Sequence, residues 1–338
     1  MSEDGGPRVL EILGAEAGCK RLARDFYSRV AKDAELKPLF PGKSLRCATE
    51  EFAAFLIQLL DGDETQTQYR WWLSLRESHA RFQISERQRA AWLSLMNETV
   101  TSSIKDSGTR EAMSQFFEAT SAYIVGKAEG ELGHPELKHR WARQSALDQL
   151  IEDIANDRDG EAIARSRQFA SRPSVFVGIL ARMMKAGREP FVEFVLESIQ
   201  SDSQLRKSRF NGRTLLHFAA GSGCLPIVRK LLAIGVDPDI LDLGGHAPLY
   251  RAAGAGNRDQ GATIVRELVR AGATVDHGGG VTKSTALHEA ARHGNLQVAK
   301  ALLDAGASLT ARDKKGFTPL ERAINCRRHD VAALLASR

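Results

Sequence analysis

No stretch of the 338-residue chain approaches the ~20 consecutive apolar residues that a membrane-spanning helix needs. The N-terminus, "MSEDGGPRVLEILG", carries acidic residues and no apolar core segment, so it does not read as a signal peptide. Cysteine is scarce: Cys19, Cys47, Cys224 and Cys326 stand far apart with no CxxC pair. That spacing argues against a disulfide framework and fits reduced thiols in a cytoplasmic protein. Charge of one sign is also lacking. The net charge is +5, but Lys and Arg are interleaved with Asp and Glu. The densest basic stretches, "RKSRFNGR" (206–213) and "CRRH" (326–329), are short. A solvated surface accounts for them, and a nucleic-acid partner is not expected. Aromatic residues make up only 7% of the chain and crowd its first third, with all four tryptophans between Trp71 and Trp141. The two halves are therefore expected to differ in architecture.

The second half repeats itself. "NGRTLLHFAAGSG", "GGHAPLYRAAGAG", "TKSTALHEAARHG" and "KGFTPLERAINCR" align on Thr214, Ala247, Thr285 and Thr318. The steps are 33, 38 and 33 residues, the longer one a normal period with five residues added near 256–263. Each anchor precedes a second apolar stripe, for example Ile227, Val228, Leu231 and Leu232, or Ile264, Val265, Leu268 and Val269. Steps of three and four mark one helix face. Gly235, Gly272 and Gly306 follow these helices, where a left-handed residue ends a helix without steric cost. The pattern resembles the ankyrin repeat, whose signature is nearly literal in "TALHEAA" (285–291). "VGILARMMKAGREPFVEFVLES" (177–198) keeps the helix–turn–helix rhythm without the signature and reads as a degenerate first repeat. The resemblance implies a stacked array over 174–338 that binds a protein partner, of unknown identity. It also implies that His217 and His288, at matched positions, are scaffold residues. Ala247 and Tyr250 replace the usual Thr and His, which predicts looser hydrogen bonding in that repeat.

Between residues 20 and 128 there are only two prolines, Pro38 and Pro41, and the spacing is helical. Leu22, Phe26 and Val30 share one face; Phe52, Phe55, Leu56, Leu59 and Leu60 share another. Trp92, Leu95, Met96 and Val100 make a third face, and Phe116, Ala119, Thr120 and Tyr123 a fourth. In "LRESHARFQISERQRAAWLSLM" (75–96) a single histidine, His79, stands beside an apolar stripe. On residues alone it reads as a satisfied core or surface histidine, or as a ligand. Zinc would need three or four ligands, and no nearby His or Cys supplies them. Nothing marks a nucleophile for a Ser-His-Asp or Cys-His set. One axial imidazole is enough for haem, which brings four nitrogens of its own.

Four stretches in order, "DFYSRVAKDAELKPLFPG" (25–42), "FLIQLLDG" (55–62), "LRESHARFQI" (75–84) and "AAWLSLM" (90–96), resemble the group II truncated haemoglobins. The resemblance covers about residues 8–128 and implies an all-α chain: a truncated globin, a two-on-two helical sandwich, followed by the ankyrin solenoid. It implies haem b as cofactor, with His79 as the proximal iron ligand. Tyr27 would stand across the iron with its hydroxyl toward a bound diatomic gas, oxygen foremost, and Trp92 would add its indole N–H. Phe40 would pack on the haem, Ala48 and Phe52 would roof the distal side, and Phe82, Ile84 and Met96 would line the lower wall. Arg70 and Arg76 would reach the propionates. The chain departs from the family where glycines are single rather than paired ("LGAEAG", "LDGD"). It departs again at Glu51, where a propionate-binding Arg often sits.

Residues 129–173 read as a helical connector. Trp141, Leu147, Leu150, Ile151 and Ile154 can face a neighbour, "NDRDG" (156–160) is a break, and Pro173 is expected to end the next helix. Three functions stay open at this point. One is a gas-binding haem protein, acting as a gas or redox sensor through its repeats. Another is an enzyme using oxygen, nitric oxide or peroxide chemistry, and the third is a haemless interaction scaffold.

Overall fold

The computed structural model describes residues 8–40, 45–61, 74–79, 82–127, 130–254 and 260–338. These are helical, with no strand among the described residues beyond two isolated bridges, Phe210 with Arg213 and Gly279 with Ser284. No helix among them is long and apolar enough to cross a membrane. The chain forms two units, Met1–Asp153 and Ile154–Arg338.

The first unit begins with α1 (Val9–Leu13) and α2 (Ala15–Val30), joined at Gly14 in the left-handed region, φ 88°. At Gly18 a Cβ would come within 1.7 Å of the Leu13 carbonyl oxygen, so only glycine lets α1 fold back so closely on α2. Then come α3 (Arg46–Asp61), the short α4 (Leu75–His79), α5 (Glu86–Ser103) and α6 (Ser107–Ile124). α2 pairs with α3 and α5 with α6, while α2 also lies on α5. The predicted faces meet in this sandwich. Leu22, Phe26, Val30, Leu56, Leu60, Met96, Val100, Phe116 and Phe117 are essentially inaccessible to water. Burying such a side chain contributes about 1.5–3 kcal/mol. Ser85 starts α5 with a capping box closed by Gln88, and Asp106 caps α6 by accepting from the Thr109 amide. The unit continues into α7 (Pro135–Ala155), whose Trp141 packs edge-on against Tyr123 and Phe116.

The second unit contains α8 (Asp159–Ser166) and a helix pair, α9 (Pro173–Ala186) with α10 (Glu189–Ser201). Pro173 does not end a helix: it is the first residue of α9, where its missing N–H costs nothing. Four further pairs follow: α11 (Leu215–Ser222) with α12 (Leu225–Ala233), α13 (Pro248–Gly254) with α14 (Gly261–Arg270), α15 (Ala286–His293) with α16 (Leu296–Asp304), and α17 (Pro319–Asn325) with α18 (His329–Ala336). First helices stack on first helices and second on second, from α9 and α10 onward. This makes 177–198 the opening member of the stack. Ile227, Val228, Leu231, Ile264, Val265, Leu268, Val298, Leu302 and Val331 are buried between neighbours.

The recurrent Thr–His pairs explain how the pairs lock together. The Thr214 amide donates to His217 Nδ1 (3.3 Å), and His217 Nε2 donates to the His246 carbonyl in the next repeat (3.0 Å). Thr285 and His288 repeat the motif at 3.2 Å, with Nε2 reaching the Phe317 carbonyl at 2.9 Å. Burial lowers both imidazole pKa values, that of His217 to about 4, so they are neutral staples at pH 7. Where Tyr250 replaces histidine, its hydroxyl donates to Glu289 of the next repeat at 3.1 Å. This repeat therefore reaches the next one through a side chain, where the histidines reach a backbone carbonyl. Where Glu321 replaces histidine, its carboxylate accepts from the Thr318 amide at 2.7 Å.

Candidate functional site

The aromatic residues singled out in the sequence converge in the first unit. From His79 the ring contacts run to Phe82 (6.3 Å), from Phe82 to Phe40 (5.8 Å), and from Phe40 edge-on to Tyr27 (5.7 Å). Tyr27 continues to Phe52 (6.2 Å), and Phe52 to Phe117 (6.1 Å). Trp92 closes the group through Phe117 (5.8 Å) and Phe26 (5.3 Å). Tyr27, Phe40, Phe52 and Trp92 pack on the core yet each keeps an accessible edge. Phe26, Phe116 and Phe117 behind them are fully buried. Partly accessible aromatic rings seated on an apolar core are a surface of the kind that suits a flat, mostly apolar group such as haem.

His79 is the last residue of α4. Its Nδ1 lies 2.8 Å from the Leu75 carbonyl oxygen one turn back and 2.9 Å from Ser78 Oγ. Ser78 Oγ itself donates to the same carbonyl at 2.7 Å. A carbonyl can only accept, so the ring proton sits on Nδ1 and the lone pair on Nε2. This is the neutral tautomer a metal-binding histidine needs, with the ring oriented by its own helix. α4 is held in turn from α7. Asp148, only 3% exposed, accepts from the Leu75 amide at 2.9 Å and the Arg76 amide at 3.2 Å. Gln144 Nε2 donates to Asp148 Oδ1 at 2.8 Å. Burial raises the Asp148 pKa; the bonds from Leu75, Gln144, Arg76 and Tyr123 pull it back.

Tyr27 joins the wall from α2. Burial and the nearby negative charge of Glu51 push its hydroxyl pKa well above the usual tyrosine value, so it is a firm proton donor at neutral pH. Glu51, the residue before Phe52 on α3, acts on this hydroxyl through its charge. Ala48, partly exposed, lies one helical turn before Phe52 on α3. Ile84 is half-buried in the segment between α4 and α5. Met96 is fully buried in the core one turn along α5 from Trp92, not on the accessible side of the wall. Arg76 is exposed and turns to α6 and α7: its guanidinium lies 4.0 Å over the Tyr123 ring and 3.7 Å from Glu152. Arg70 lies outside the described residues. Asp148 was not singled out in the sequence. Its signal is positional: Trp141, Gln144 and Asp148, at i, i+3 and i+7, share the buried face of α7.

The bacterial-like globin family matches residues 8–125, and ankyrin repeats match 180–276 and 258–338. The chain is 31% identical over 121 residues to the group 2 truncated hemoglobin YjbI of Bacillus subtilis, covering 36% of this chain and 90% of that protein. The chain therefore belongs to the group 2 truncated haemoglobins through its N-terminal domain, and carries ankyrin repeats behind it. It is similar to alpha-latrotoxin-Lg1a of Latrodectus geometricus, 33% identical over 159 residues (45% of this chain, 11% of the toxin). It is also similar to the mouse B-cell lymphoma 3 protein homolog, 32% identical over 149 residues (44% of this chain, 32% of that protein). The chain thus spans a minor part of these two relatives. Globins as a family bind haem and gases, and ankyrin repeats are interaction arrays.

Proposed function

We propose that this protein is a haem-binding globin that holds iron through His79 and binds oxygen or another diatomic gas beside Tyr27 and Trp92. We further propose that its ankyrin array docks a protein partner and that the whole works as a gas or redox sensor. The observation that carries the reading is the oriented His79 imidazole at one end of a continuous aromatic wall whose other members include Tyr27 and Trp92. Haem b would be held through His79 and, when bound, would supply an iron able to bind a diatomic gas.

The protein's own part is orientation, exclusion of water and hydrogen bonding. The Leu75 carbonyl and Ser78 hydroxyl fix the His79 ring. Phe40, Phe52 and Phe82 supply apolar surface. Tyr27 keeps its proton and can donate it to the outer atom of a polar diatomic gas; Trp92 can only donate. Two donors slow the escape of such a gas, which suits sensing or redox chemistry better than bulk delivery. The apolar tips Leu241, Leu243 and Val281, exposed on the loops between repeats, support a protein-docking role for the array.

Tyr27→Phe tests the distal assignment. It removes one hydrogen bond of about 1 kcal/mol and should speed oxygen dissociation roughly fivefold in flow or flash kinetics. An unchanged rate contradicts the role given to Tyr27.

A further inference from the structure

α7 begins beyond residue 125, where the globin match ends, yet it supplies the buried acid that anchors the proximal helix. The hydrogen bonds form a line through a single peptide group. The amide joining Leu75 to Arg76 donates its N–H to Asp148 Oδ2 at 3.2 Å, and its carbonyl accepts from His79 Nδ1 at 2.8 Å. A second N–H, that of Leu75, reaches Asp148 Oδ1 at 2.9 Å. Gln144 donates to Asp148 Oδ1, and the Tyr123 hydroxyl adds a further bond. Donors on both oxygens are what an ionised carboxylate accepts. Negative charge on the N–H side of an amide pushes electron density onto its carbonyl oxygen. Chained hydrogen bonds strengthen one another in this way. A stronger acceptor at Nδ1 makes Nε2 a better donor to a metal, the effect a carboxylate has when it bonds such a histidine directly.

We propose that Asp148 is a positioning residue for the proximal histidine: acting through the Leu75–Arg76 peptide, it orients His79 and raises the electron donation of Nε2 to haem iron. The inference rests on the haem reading above. It gives α7, the helix that follows the globin match, a role in setting the strength of the iron–histidine bond.

The test compares wild type, Asp148→Asn and Asp106→Asn, each as the full chain loaded with haem. Asp106→Asn makes the same chemical change at a helix cap outside the line, where Asp106 accepts from the Thr109 amide at 2.7 Å. Resonance Raman of the reduced, gas-free proteins reads the iron–histidine stretch. Asp148→Asn should lower its frequency and speed haem loss to a scavenger about tenfold, while Asp106→Asn leaves both at wild-type values. A purely structural cap would weaken folding in both variants without moving the stretch, and an unshifted band in Asp148→Asn overturns the proposal alone. A wild type that takes up no haem overturns the haem reading and this inference with it. If Asp148→Asn does not fold, the wild-type apoprotein decides by NMR. A coupling across the hydrogen bond from His79 Nδ1 to the Leu75 carbonyl carbon, with a strongly deshielded Arg76 amide proton, is the expected result. Absence of both overturns the proposal.

Discussion

His79 in the globin unit and His217 in the ankyrin unit are held in opposite tautomers. His79 donates from Nδ1 to the Leu75 carbonyl, so its lone pair is on Nε2. His217 accepts at Nδ1 from the Thr214 amide and donates from Nε2 to the His246 carbonyl of the following repeat. The same side chain is thereby committed to two ends. In the array it joins two backbone segments and is sealed from water, 1% exposed. At the end of α4 it is oriented through Nδ1 and keeps a partly accessible ring beside an aromatic wall. Backbone partners, more than residue type, separate a scaffold histidine from one proposed to hold iron.

Acid is the strongest way to press on this contrast. Burial holds the His217 pKa near 4, below its ordinary value of 6.5. Between those values the unfolded chain binds the extra proton, so stability falls as pH falls. The contribution is fully present above pH 6.5 and is lost as pH drops toward about 4. Each tenfold difference in proton affinity between the folded and unfolded chain is worth about 1.4 kcal/mol. Urea unfolding of the array followed by far-ultraviolet circular dichroism should show a declining midpoint over that window. A flat profile would mean that His217 is not a neutral buried staple. Next in size is His217→Ala, which leaves the Thr214 amide and the His246 carbonyl without their partner. It should cost about 2 kcal/mol at pH 7 and flatten most of the acid slope. A loss within about 0.5 kcal/mol, ordinary for a surface site, would contradict the stapling role. The smallest effect is expected from Tyr250→Phe. It removes only the hydroxyl bond to Glu289 and should cost about 1 kcal/mol. A cost matching that of His217→Ala would mean that the tyrosine bridge equals a histidine staple.

The two regions were also unequally legible as sequence. The array declares itself by period, because every repeat must solve the same stacking problem with the same residues, Thr214 and His217 recurring as Thr285 and His288. In the globin unit the helix faces were readable from Phe26, Phe55 and Phe116, since burial imposes spacing. The ligand role proposed for His79 is not readable from spacing alone and rests on family resemblance. Its orientation depends on Leu75 one turn back and on Asp148, far along the chain in α7, and no local pattern reports a contact of that range. Arg76 shows the converse. Its position near His79 made it a candidate for a propionate, but Tyr123 and Glu152 lie within reach of its long side chain and engage it. Pro173 illustrates a third limit: a proline can end one helix or open another, and the choice was made by the α9–α10 pair that follows it.

The central claim is that His79 holds haem iron, and the visible absorption spectrum tests it most directly. Wild type and His79→Ala would be recorded oxidised, reduced, and reduced under carbon monoxide. The account predicts a Soret band in wild type that shifts with carbon monoxide and is lost or altered in His79→Ala. A wild-type protein that stays colourless after incubation with haemin, or a variant whose spectra match wild type in all three states, would contradict it.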